Sequence, residues 1–198
     1  MKRQLTLIVL IITTFCGAYA QKKTTTVTTN AVEERSSYLG IATGINNISG
    51  IGGITFETPF SDNFSAKVGA GFGGWGVKLG VAAKYYRQYA KSWSFGAGYS
   101  TASGLDKLPL EQKKAFSSNT TETIEINLKR AHMIDLVAGK SWGGKVRFNL
   151  ELGYAVRVAG GTFAPSNKTD VLAETTVQAL NLLSPNGLIL GLGLTFKL

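Results

Sequence analysis

The last eleven residues, Leu188 to Leu198, alternate with period two. Leu188, Leu190, Leu192, Leu194, Phe196 and Leu198 share one face; Gly191, Gly193, Thr195 and Lys197 share the other. Successive side chains of a β-strand point to opposite faces, so this segment has one apolar face and one small, polar face. Its length suits a tilted strand across a bilayer, which needs about 9–11 residues. A sheet in lipid must close on itself, because every backbone N–H and C=O needs a partner within the protein. One such strand therefore demands others.

The others are present. Leu39, Ile41, Thr43 and Ile45 alternate with Gly40, Ala42 and Gly44, and Ile54, Phe56 and Thr58 with Thr55 and Glu57. The same pattern runs over Phe64–Phe72, Val77–Tyr85, Trp93–Tyr99 and Val146–Val158. Ile134, Leu136 and Ala138 alternate with Met133, Asp135, Val137 and Gly139 in a strand whose start, near Ile126, is open. Turn residues separate these runs at Pro59–Asn63, Gly74–Gly76, Arg87–Ser92 and Trp142–Gly144. The total is eight, and an even number returns both termini to one side. Two connections are long, Ala102 to about Thr123 and Ala159 to Gly187; the second has helical spacing at Leu172, Thr176, Ala179 and Leu183, with Asp170 as a cap. The expected fold is all-β: a single eight-stranded antiparallel transmembrane β-barrel with two long loops on one side.

A soluble barrel of the lipocalin kind, apolar face inward, would show the same alternation. The opposite face decides. Gly40, Gly44, Gly69, Gly71, Gly73, Gly80, Gly96, Gly98, Gly153, Gly191 and Gly193 all lie on it, within a chain of 24 glycines. Glycine in a strand costs about 0.5–1 kcal/mol relative to alanine, so a water-washed face has no reason to repeat it. A narrow lumen does, since eight strands leave little room. A one-residue slip of Val146–Val158 would aim Arg147, Glu151 and Arg157 at lipid. Phe64, Tyr85, Trp93, Tyr99, Trp142, Tyr154 and Phe196 are the expected girdle aromatics.

The chain start reads as an export signal over residues 1–20: Lys2 and Arg3, an apolar run from Leu5 to Phe15, and Ala18-Tyr19-Ala20 as the cleavage site. Cleavage would remove Cys16, the one cysteine, and reduce the net charge from +9 to +7. Residues 21–37 form a polar, Thr-rich leader, and residues 38–198 the barrel domain. No stretch is apolar for 18 residues, and mean hydropathy is only +0.08, as expected when half of each strand faces inward. The expected location is the outer membrane.

Over Leu39 to Leu198 the pattern resembles the small outer-membrane β-barrel family that includes the OmpX-like proteins and the barrel domain of OmpA. The resemblance implies an asymmetric outer membrane, a Gram-negative source, and an outer-membrane assembly machinery as partner, with membrane lipid around the barrel. Family members usually end in an aromatic residue; here Leu198 is last and Phe196 lies two positions earlier on the same face.

Chemistry-bearing motifs are few. Gly69-Ala70-Gly71-Phe72-Gly73-Gly74 matches a dinucleotide fingerprint, but that site needs a helix next and an acid about 20 residues on. A strand and a basic region follow, so no cofactor is expected. His132, the single histidine, has no serine beside it and falls on the outward register. No metal-ligand spacing is present. The inward register collects Glu57, Lys67, Lys78, Lys84, Asp135, Arg147, Glu151 and Arg157, with Lys197. Buried charges must be paired or hydrated, so these form an ion-pair plug or line a basic lumen. Lys107, Lys113, Lys114 and Lys168 are loop cations available to lipopolysaccharide; no nucleic-acid partner is indicated. The expected function is non-catalytic, structural or surface-interacting. A narrow channel or binding barrel for small anions is the alternative, and a lipid-modifying enzyme using His132 ranks last.

Overall fold

Eight strands close into one antiparallel ring in the computed structural model, which describes residues 36–87, 93–113, 121–167 and 171–198. The predicted signal and the leader up to residue 35 lie outside the described residues. The barrel strands are β1 (Tyr38–Ile45), β2 (Gly52–Pro59), β3 (Phe64–Gly73), β4 (Gly76–Tyr86), β5 (Trp93–Ala102), β8 (Ala131–Gly143), β9 (Val146–Gly160) and β11 (Gly187–Lys197). They pair in the order β1-β11-β9-β8-β5-β4-β3-β2, and β1 returns to β2, so the barrel has no open edge. The terminal strand that opened the sequence argument forms the closing seam, from Tyr38↔Lys197 to Ile45↔Leu190. Ser36 and Ser37, placed by sequence in the leader, are already docked: Ser37 Oγ lies 2.8 Å from Thr58 Oγ1, and Leu198 N–H donates to Ser37 O.

The apolar faces point outward. Ile41, Ile54, Phe72, Phe95, Leu136, Tyr154 and Leu188 are each more than half exposed, and the predicted girdle aromatics are exposed as well. Over the outward positions of the eight described strands there is no carboxylate and there are two basic side chains, His132 and Lys140. Lys140 stands at the short-turn end with its Nζ 6.0 Å from the Trp93 ring centroid. The inward face is buried and polar, which is the reverse of a lipocalin interior.

The two long connections are not unstructured loops. The first holds β6 (Leu105–Lys113) and β7 (Thr121–Leu128); the second holds β10 (Phe163–Pro165) and a helix, α1 (Glu174–Leu183). β10, β7 and β6 form a separate three-stranded sheet. Trp75, Ile124, Ile126, Leu128, Met133 and Leu180 bury themselves between this sheet, the helix and the barrel mouth. The larger apolar core of the described residues therefore sits at the end of the barrel, and the barrel axis is polar. Gln112 ties the cap together, donating to Val171 O at 2.8 Å and accepting from Ala173 N–H at 2.8 Å. The helix departs from its predicted face: Leu180 is buried, whereas Ala179 and Leu183 are exposed, because the sheet covers only one side. Its N-cap is Ala173 without a side-chain bond, and Asp170 lies outside the described residues.

The β1–β2 connection, residues 46–51, folds into the lumen. Asn46 and Gly50 adopt left-handed φ values of 50° and 76°, which turn the chain inward and back out. Between them Asn47, Ile48 and Ser49 are buried. The lumen glycines make room for them: a Cβ on Gly69 or Gly80 would come within 2.9 or 2.5 Å of the Ile48 side chain, and one on Gly191 within 2.9 Å of Asn47 Nδ2. Gly80→Val should therefore force the tucked segment to shift, at about 1–3 kcal/mol of overpacking. The readout is the urea midpoint of the refolded barrel; an unchanged midpoint would mean that Ile48 does not depend on that space.

Candidate functional site

Strand parity brings the inward charges to one level of the axis. Glu57 comes from β2, Ser65 and Lys67 from β3, Lys84 and Tyr86 from β4, and Arg147 and Glu151 from β9. Glu151 Oε1 accepts from Lys67 Nζ at 2.6 Å and from Lys84 Nζ at 3.1 Å. Lys84 reaches on to Glu57 Oε2 at 3.4 Å. The other Glu57 oxygen accepts from Tyr86 OH at 2.5 Å and Ser65 Oγ at 2.9 Å. All of these side chains are buried. Beside them the Arg147 guanidinium lies over the Tyr38 ring, 3.4 Å from its centroid, a stacked cation–π contact suited to a planar cation. Ser141, Asn149 and Thr195 continue the network through bonds of 2.7 and 3.0 Å.

A second level lies nearer the cap. Lys78 Nζ donates to Asn46 O at 2.7 Å, pinning the tucked segment to β4. Asp135 is buried on β8; among the described residues neither carboxylate oxygen has a direct hydrogen-bond partner, and Ser100 and Lys78 face it from β5 and β4. A cavity of about 10 Å³ adjoins Asp135, Asn47 and Glu151, and a second of about 10 Å³ lies between Glu57, Lys67, Arg147 and Glu151. Each has room for about one water.

Seven of the eight predicted lumen charges are thus inside: Glu57, Lys67, Lys78, Lys84, Asp135, Arg147 and Glu151. Arg157 is corrected. It keeps the inward register opposite Met133 but stands exposed at the mouth, where its Nη1 donates to Gly161 O at 2.8 Å and Ser184 Oγ at 2.9 Å. β9 rises past the start of β11 there, so no opposite wall encloses it. Sequence reasoning missed Tyr86 and Tyr38 as network members. Their inward parity was legible, but the fit of a phenol between Glu57 and Lys84 was not.

The glycine motif lies in β3 and its turn, and β4 follows it. His132 sits on the outward face at the cap end, with Nδ1 2.5 Å from Tyr99 OH. Among the described residues no group of three His, Cys, Asp or Glu could hold a metal. Lys107 is exposed, while the side chain of Lys113 and residues Lys114 and Lys168 lie outside the described residues. No protein-family model, curated protein or solved structure matches the chain.

Proposed function

We propose that this protein is a non-catalytic outer-membrane β-barrel that displays its sheet-and-helix cap at the surface. One observation carries the reading. The barrel exposes apolar side chains from all eight strands, with no carboxylate among them, and buries its charges along the axis. In water that distribution leaves an exposed apolar surface all around the molecule, which invites association. In hydrocarbon it is the arrangement that pairs the strand backbone around a closed ring and keeps the carboxylates away from lipid. The aromatics near the strand ends, and Lys140 against Trp93, fit the two interfaces. The outer-membrane fraction should contain a band whose gel mobility shifts on boiling. A water-soluble monomer without that shift would remove the proposal.

The filled axis weighs against the channel. The network above, the tucked segment and two one-water cavities leave little space for a solute. Planar bilayers holding the protein should stay silent. Steady anion-selective steps would overturn this and favour the basic lumen, where four cations meet three carboxylates. The enzyme reading weakens because His132 pairs with a tyrosine rather than with an acid and a serine. Lipid A composition should be the same with the wild-type protein and with His132→Ala.

A further inference from the structure

We propose that the cap-side rim of β5 and β8 binds the phosphate of an anionic membrane lipid. This rests on the membrane reading and names one ligand site within it. The first observation is His132 itself. On an outward face otherwise free of charge between the rims, it is held rather than left loose: Tyr99 OH and His132 Nδ1 share a hydrogen, and the rings stack at 6.0 Å with 24° between planes. That occupies Nδ1 and leaves Nε2 as the ring nitrogen available to a ligand. The second observation is backbone. The β8–β9 register shifts between His132 and Met133, so Val158 is skipped. A bulge of this kind re-aims the side chain beside it.

Lys129 and Arg130 stand exposed immediately before β8. Their backbone is pinned: Trp75 Nε1 donates to Lys129 O at 2.9 Å, Lys129 N–H to Thr162 O at 2.8 Å, and Gly161 N–H to Arg130 O at 2.9 Å. The rim thus carries Lys129 and Arg130, exposed on pinned backbone, three and two residues before His132 with its tyrosine partner. A guanidinium fork matches phosphate oxygens in a bidentate way, and the other groups are further donors. Below it the outward face is apolar, with Leu79, Ile134, Val156 and Val158 exposed. A free phosphate gains nothing from that wall; the acyl chains of a lipid do. The site therefore takes a lipid-borne phosphate.

The test uses the full mature chain in nanodiscs of phosphatidylcholine doped with phosphatidic acid, with retained lipid read by native mass spectrometry. Phosphatidic acid should be retained over phosphatidylcholine, and inorganic phosphate should not displace it. Arg130→Ala should lower the preference about fivefold, as for one basic group near an anionic surface. His132→Ala with Arg130→Ala should abolish it. Tyr99→Phe, which keeps the imidazole and loses its anchor, should fall between. Lys140→Ala, at the opposite rim, should leave the preference intact. An absent preference, one that survives the double variant, one lost equally in Lys140→Ala, or displacement by inorganic phosphate would each overturn the site. The boiling-dependent mobility shift, run on every variant, reports the fold separately. A chain that inserts and shifts but shows no preference refutes this site alone; a chain that never inserts refutes the membrane reading.

Discussion

Glu151→Gln is expected to cost the barrel about 3–5 kcal/mol, the usual penalty for leaving a buried charge without its partner. Glu151 Oε1 is the shared acceptor of Lys67 and Lys84. With the carboxylate neutralised, Lys84 keeps Glu57, but Lys67 has no other ion pair among the described residues. Glu57→Gln should cost less, about 1–3 kcal/mol. An amide oxygen still accepts from Tyr86 and Ser65, and Lys84 still has Glu151. The double variant Glu151→Leu with Lys67→Met should recover most of the loss, because it removes both ends of the pair and fills the space with hydrocarbon. Equilibrium urea unfolding of the refolded barrel, read from the folded and unfolded gel bands, gives all three changes against the wild type. If Glu151→Gln unfolds with the wild type, the network does not hold the barrel.

Leu192→Arg should destabilise the barrel in lipid by about 2–4 kcal/mol, since Leu192 is outward at mid-strand on β11. Val146→Arg, outward near the short-turn rim, should cost about 0–1 kcal/mol. The depth dependence is the point of the pair. In a water-soluble barrel both positions are exposed, and both changes should stay within about 0.5 kcal/mol of the wild type. Unfolding in lipid vesicles separates the two cases. Equal, small effects at the two positions would place water, not acyl chains, around the strands.

The barrel strands were legible because each carries its own signal. In β9, apolar Phe148, Leu150 and Leu152 alternate with Arg147, Asn149 and Glu151, and the structure keeps that parity. The cap was less so. β7 does alternate, with Ile124, Ile126 and Leu128 inward, but its neighbour β6 holds Pro109 and an irregular register between Leu105 and Leu108, which breaks the period. Lys107 takes a left-handed φ of 53° there, and its N–H is held by Asn127 Oδ1, a contact no local pattern announces. His132 was correctly placed outward, but its anchor was invisible, since Tyr99 lies 33 residues away.

By itself the sequence determined which barrel side chains face out and which face in, and so the number of barrel strands, the closure and the pool of charges on the axis. That information is local: a two-residue period sets direction wherever a strand forms. Only the tertiary structure decided who meets whom. Lys67 and Glu151 are 84 residues apart and become partners because closing the ring brings β3 and β9 across from each other. Ile48 turns into the lumen because Gly69 and Gly80, on other strands, leave a space of its size. Such contacts depend on the sum of strand tilt, register and excluded volume around the whole barrel, and no single segment carries that sum.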